Sequence, residues 1–272
     1  MAFRGSTNPR DDWKHFHFST GDDGIASIVF ARPEKLNALT FEVYADLRDI
    51  LVEIPQRDDV RVLTITGEGR GFCSGGDVRE IIGALQEMSP KDLLEFTRMT
   101  GAVVQRMREL PIPIVAGVNG VAAGAGAAIA LAADLRLLAP DSSFHFLFTR
   151  VGLAGADMGA AYLLPRVVGL GRATELLLLG EAIGAEEAER IGLGRPSKDL
   201  ASDLEKVSRS LSAGPGWALG ATKSLLSREL DMSLSAAIEL EAWTQALLMK
   251  SDDHREFYRA FVEQQDPVWR GK

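Results

Sequence analysis

Two glycine-rich turns constrain this chain more than any other feature. The first is Phe72-Cys73-Ser74-Gly75-Gly76-Asp77. The second is Val118-Asn119-Gly120-Val121-Ala122-Ala123-Gly124-Ala125-Gly126. Each follows an apolar, strand-like run (Arg61 to Gly67, and Pro113 to Val118) and leads into a helix-like run. A glycine-rich turn at a helix start leaves backbone N–H groups without intrahelical acceptors, aimed at whatever lies there. Either turn alone reads as tight packing with positive φ. Together they predict a pair of backbone donors able to hold an oxyanion.

Other uses of glycine fit poorly. Gly124-x-Gly126 begins a dinucleotide-type G-x-G-x-x-G pattern, but Ile129 stands at its third position and no ribose-binding acid follows at a strand end. No Gly-Lys-Ser/Thr exists for a P-loop. Ser74 lacks the G-x-S-x-G context of a nucleophile, since Phe72 occupies the first glycine position. Cys73, the only cysteine, permits no intramolecular disulfide, reads as a packed thiol, and suits a reducing, cytoplasmic setting. The four histidines show no zinc-protease spacing, so no metal is expected. His145 reads as a core or interface histidine.

A net charge of −8 gives nucleic-acid binding no electrostatic support. The apolar stretch Ile112 to Ala133 has the length of a membrane span, roughly 20 residues. Pro113, Asn119 and four glycines interrupt it, so it reads as a buried strand, a turn and a buried helix. No membrane partner is expected.

The 272 residues suit one large domain with an appendage. Strands are predicted over His15 to Ser19, Ile25 to Phe30, Val62 to Thr66 and Leu135 to Ala139. A further strand is expected where Phe144, Phe146 and Phe148 alternate with His145 and Leu147. A helix capped by Thr40 is predicted to about Ile54, with Phe41, Tyr44, Leu47 and Leu51 on one face. Another covers Lys91 to Glu109, and a small-residue helix covers Ala127 to Ala133. Asp77 is expected to cap a helix from Val78. Strands alternating with helices give an α/β layered core. From Arg172 onward only helices are predicted. The expected organisation is a disordered lead-in over 1–13, a core domain over 14–200 and a helical region over 201–272.

The segments that carry chemistry resemble the crotonase superfamily, also called the enoyl-CoA hydratase/isomerase family. They are Arg32 to Leu39, Gly71 to Asp77, Val118 to Gly126 and Gly152 to Gly159, in matching order and spacing. The likeness covers nearly the whole chain. It implies a spiral of ββα units followed by helices that drive assembly into a homotrimer or a dimer of trimers. It implies an acyl-CoA thioester as substrate, with no cofactor beyond the coenzyme A that the substrate carries. By resemblance the N–H groups of Gly76 and Ala125 form the oxyanion hole. Lys35, Leu36, Ala38 and Ser74, with Gly75 and Asp77 beside them, cradle the coenzyme A portion. Phe144, Phe146 and Phe148 read as core or as the wall of the acyl pocket.

The chain departs from the hydratases of that family at both catalytic glutamates. One position holds Ala128, and the other falls on or beside Phe148. Two-glutamate water addition therefore lacks its acid–base groups. One carboxylate remains, Asp157, in Ala156-Asp157-Met158-Gly159. This position resembles the aspartate of family isomerases. One carboxylate suffices to remove a proton from one carbon and return it to another. The bland reading of Asp157 is a helix N-cap before Met158 to Leu164. The expectation is thus an enoyl-CoA isomerase, with a hydratase using an unplaced group such as Glu80, or a non-catalytic acyl-CoA binder, as alternatives. The family's C-terminal lysine against coenzyme A falls near Gln264, leaving Arg270 or Lys272 as substitutes.

Overall fold

The fold is that of a computed structural model, which describes residues 10–271. Residues 1–9 of the expected lead-in, and Lys272, lie outside the described residues. Of the lead-in's described residues, Arg10, Asp11 and Asp12 are exposed and Trp13 is half-buried. The Arg10 N–H donates to Glu53 at 2.6 Å, and Trp13 stacks on Phe16.

Strand β1 (His17–Thr20) pairs antiparallel with β2 (Ile25–Phe30), whose alternate residues Ala26, Ile28 and Phe30 are buried. Helix α1 (Phe41–Glu53) begins where Thr40 Oγ1 accepts the Val43 N–H, and it buries Val43, Tyr44, Leu47, Ile50 and Leu51. Then a three-part unit recurs. Strands β3 (Val62–Gly67) and β4 (Gly71–Cys73) lead through a π-turn, Val78–Ile82, into α2 (Gly83–Leu85) and α3 (Pro90–Glu109). Strands β5 (Ile114–Val118) and β6 (Val121–Ala123) lead into α4 (Ala125–Ala132). Strands β7 (Leu135–Leu138) and β8 (Ser143–His145) lead through a 3₁₀ turn, Leu147–Val151, into α5 (Ala160–Val168).

The rest is mainly helical: α6 (Leu170–Leu179), α7 (Ala185–Arg190), α8 (Leu200–Ser212), α9 (Gly216–Glu229), α10 (Leu234–Leu248) and α11 (Asp252–Glu263). Two short strands interrupt it, β9 (Ala182–Gly184) before α7 and β10 (Arg195–Pro196) after it. This corrects the helix-only expectation beyond Arg172. Both are edge strands set by backbone pairing to β8 and β7, and so carry no hydrophobic period of their own.

The first strand of each repeat joins a six-stranded sheet, ordered β1-β2-β3-β5-β7-β10. The second joins a four-stranded sheet, β4-β6-β8-β9. All pairings are parallel except β1–β2 and β8–β9. This is the ββα spiral with a helical C-terminal region. Every residue of α4 is buried. Its alanines and glycine let backbone approach backbone, which a larger side chain would prevent. Helix α8 covers the far face of the large sheet, with Leu200, Leu204, Val207 and Leu211 on Val62, Val115 and Leu137.

The predicted strand through Phe144, Phe146 and Phe148 stops at His145. Phe148 lies in the 3₁₀ turn instead. All three rings are buried, so the alternation marked the core but not the strand end.

Candidate active site

The two turns lie side by side because β4 pairs in parallel with β6, Gly71 opposite Val121 and Cys73 opposite Ala122. Glycine is required where they meet. A Cβ on Gly75, at φ +95°, would stand 2.9 Å from the Ala123 carbonyl oxygen. One on Gly126 would stand 2.0 Å from that of Cys73.

Gly76 is held by a parallel bridge to Leu39. The Leu39 N–H donates to the Gly75 carbonyl and the Asp77 N–H donates to the Leu39 carbonyl, both at 2.8 Å. That pattern uses the peptide groups on either side of Gly76 and leaves its own N–H without an acceptor among the described residues. Ala125 opens α4, behind Gly124 at φ +51°, so its N–H is one of the helix donors with no intrahelical partner. The Gly124 N–H is taken by the His145 carbonyl at 2.8 Å.

The loop before α1 is tied to the first turn. Ser74 donates through its N–H to the Leu36 carbonyl (2.9 Å) and through its hydroxyl to the Lys35 carbonyl (3.2 Å). Asn37, in the left-handed region at φ 57°, donates to the Glu68 and Gly71 carbonyls (3.0 and 2.7 Å). Arg32 reaches the Ala38 carbonyl at 2.7 Å and the Asp77 carboxylate at 3.1 Å. Lys35, Leu36, Ala38, Ser74, Gly75, Gly76 and Asp77 therefore form one hydrogen-bonded unit.

Asp77 caps the next turn, as its position suggests. Its carboxylate accepts the N–H groups of Arg79 (3.0 Å) and Glu80 (3.1 Å). The Glu80 and Arg79 backbone bonds and the Arg32 guanidinium hold it below the usual carboxylate range, against its burial. Glu80 is exposed and ion-paired to Arg32 at 2.8 Å.

Asp157 differs. It is not the cap of α5, because Gly159 holds that position and the helix starts at Ala160. Met158 and Gly159 are both left-handed, at φ 46° and 75°, so the chain turns away before helix can form. Among the described residues the half-buried carboxylate accepts only the neighbouring Met158 N–H, at 2.8 Å. Burial raises its pKa against that one bond. Ala128 and Phe148, where a second carboxylate would be sought, are both buried and apolar.

The link between Asp157 and the first turn is Tyr44, which sequence reasoning treated as core. Its hydroxyl lies 3.8 Å from where a Gly76 Cβ would stand. Burial, then Cys73, then the Asp157 charge push the phenol well above its ordinary value. Cys73 is fully buried, and burial pushes its thiol up to about 12, as expected of a packed thiol. His145 is half-buried, lies 3.0 Å from the Ser143 hydroxyl, and has its pKa lowered by burial. No group of three His, Cys, Asp or Glu able to hold a metal ion occurs among the described residues. No helix among them is long and apolar enough to cross a membrane.

Residues 20–272 match the family model described as Enoyl-CoA hydratase/isomerase. The chain belongs to the enoyl-CoA hydratase/isomerase family. Among its relatives is the 1,2-epoxyphenylacetyl-CoA isomerase of Escherichia coli (strain K12), 35% identical over 94% of this chain and 99% of that one. A protein of Rhodobacter capsulatus named as a probable enoyl-CoA hydratase is 38% identical over 92% of this chain and 96% of its own. A crystal structure from Streptomyces coelicolor A3(2), classed provisionally as an enoyl-CoA hydratase, superposes with a TM-score of 0.97 at 55% identity, covering all of both chains. Both reaction names thus occur among these similar members of the enoyl-CoA hydratase/isomerase family.

Proposed function

We propose that this family member isomerises an enoyl-CoA by a single-aspartate proton shuttle. The Gly76 and Ala125 N–H groups hold the thioester oxygen. Asp157 removes a proton from the α or γ carbon. The C–H electron pair moves into the conjugated enolate, whose negative charge develops on the held oxygen. Asp157 then returns the proton to the other carbon, so the double bond moves with no net gain or loss of atoms. Nothing beyond the substrate's own coenzyme A is required by that balance. Each fixed donor on the forming oxyanion is worth about 3 kcal/mol, on the order of 10² to 10³ in rate.

The observation that carries this reading is Asp157 itself. It is a carboxylate spared from capping and made more basic by burial. Ala128 and Phe148 stand where a second acid–base group would be sought. Lys35, Leu36, Ala38, Ser74 and Gly75 would carry the coenzyme A portion, with Asp77 bracing that unit, and Phe148 would wall the acyl pocket. The Escherichia coli relative's name supports a ring-bearing acyl group as one candidate substrate.

A homotrimer, or a dimer of trimers, belongs to the proposal. Its support is α10, which buries only Ala237 yet carries Leu234, Ile238, Trp243 and Leu247 exposed. A cytoplasmic setting is proposed on the unpaired Cys73 thiol.

Asp157→Asn tests the mechanism. Turnover of 3-enoyl-CoA is expected to fall at least 10²-fold, on the order of general acid–base contributions, while coenzyme A ester binding persists. Wild-type turnover in this variant would refute the shuttle. No turnover in either protein would leave an acyl-CoA binder.

A further inference from the structure

Tyr44 is the polar group at the site to which the proton shuttle assigns nothing. Its ring sits edge-on to Phe96, with centroids 5.9 Å apart and planes at 85°, and the residue is 3% exposed. Its hydroxyl lies beside Gly76: a Cβ there would stand 3.8 Å from it and 3.7 Å from Ile81 Cδ1. Burial first, then the neighbouring acidic groups Cys73 and Asp157, push the hydroxyl's pKa well above the ordinary value, so the phenol stays protonated and remains a hydrogen-bond donor.

That donor has no acceptor among the described residues. Asp157 is bonded to the Met158 N–H and not to the phenol. Tyr44 is only 3% exposed, yet its hydroxyl is not among the buried polar atoms left without a partner, so the hydroxyl end is where the residue keeps its access. An oxygen of a bound ligand can take the place of solvent there.

We propose that Tyr44 is a further residue of the active site, its hydroxyl donating a hydrogen bond to an oxygen of the bound acyl-CoA beside the Gly76 N–H. This rests on the reading that Gly76 faces the thioester. Two oxygens offer the required acceptor chemistry: the thioester oxygen as it becomes an enolate, and an oxygen borne by the acyl group near its α carbon. A site built around such a donor discriminates against an analogue lacking the acceptor.

The test is Tyr44→Phe, which keeps the ring, with melting temperature as the check on folding. Two binding measurements separate the oxygens. The absorption of 4-(dimethylamino)cinnamoyl-CoA moves to the red as hydrogen bonds to its thioester oxygen strengthen. The affinity ratio of 3-hydroxybutyryl-CoA to butyryl-CoA reads an acceptor on the acyl group. A bond to the thioester oxygen predicts a loss of about 2- to 10-fold in cinnamoyl ester affinity, the worth of one neutral hydrogen bond, together with a smaller red shift. A bond to an acyl oxygen predicts an unchanged red shift and loss of the 3-hydroxy preference. An unchanged red shift with an unchanged ratio in a folded variant overturns the proposal.

Should the variant fold poorly, 3-fluorotyrosine at position 44 of the otherwise wild-type protein supplies the second reading. Its fluorine resonance is expected to move with an acyl-CoA and not with free coenzyme A. Equal shifts with both, or none, overturn the proposal. A wild-type protein that binds no acyl-CoA ester at all overturns the Gly76 reading as well. Binding with Tyr44 indifferent overturns this inference alone.

Discussion

Two aspartates near the turns are pushed in opposite directions, and the sign of each shift has a consequence. Asp157 is raised by burial above its ordinary 3.8. As a base it must be ionised, so kcat/KM is expected to fall with unit slope as pH drops through a pKa above 3.8. A pH–rate profile checks this, and an acid limb at or below 3.8 would contradict it. For stability, a raised carboxylate contributes below its unfolded pKa and loses that contribution as pH rises through the folded value. Asp157→Asn should therefore melt no lower than wild type at neutral pH. Asp77 is depressed by backbone donors and Arg32. Its contribution is present above 3.8 and lost as pH falls. Asp77→Asn should cost about 1–3 kcal/mol at neutral pH, read by denaturant titration. Asp77 was legible as a cap from its place before a helical run. Tyr44 was not legible, because an aromatic on the core face of α1 looks the same whether or not its hydroxyl has a partner.

The site is a contact between elements, and glycines set its width. Ala at position 126 would drive a methyl to 2.0 Å from the Cys73 carbonyl oxygen, backbone that cannot swing aside. Gly126→Ala is expected to separate the turns, destabilising the protein by several kcal/mol on the order of severe core overpacking and abolishing acyl-CoA binding. Thermal melting and equilibrium binding check both. Wild-type melting in this variant would contradict the packing argument. The glycine turns could be found in the sequence because positive φ and close approach demand glycine. Helix α1 was also visible, through its Thr40 cap and apolar face, and α3 through its helical pattern from Lys91 to Glu109. Strands β4, β6, β9 and β10 were not: each has two or three residues, and pairing with distant backbone, not side-chain period, makes them strands. The cap that the bland reading put at Asp157 falls instead at Gly159, because Met158 turns left-handed first.

At the scale of the whole molecule, the large unmet demand is apolar surface on the last two helices. Leu234 is 77% exposed on α10 and Phe261 72% exposed on α11, beside Trp243 and Leu247. Apolar side chains left exposed along these two helices are what the proposed trimer would cover. We expect light scattering to report three or six copies, and the double variant Trp243→Asp, Phe261→Asp to report smaller species. A monomeric wild-type protein would contradict the assembly. The proposed oxyanion donors and shuttle, Gly76, Ala125 and Asp157, all lie on one chain. That is why the reaction can be decided directly. Incubating the protein with 3-enoyl-CoA and, separately, 2-enoyl-CoA in deuterated water, followed by proton NMR, is the measurement that does so. The account predicts migration of the double bond without accumulation of 3-hydroxyacyl-CoA. Rapid hydration of 2-enoyl-CoA with no double-bond migration would contradict it.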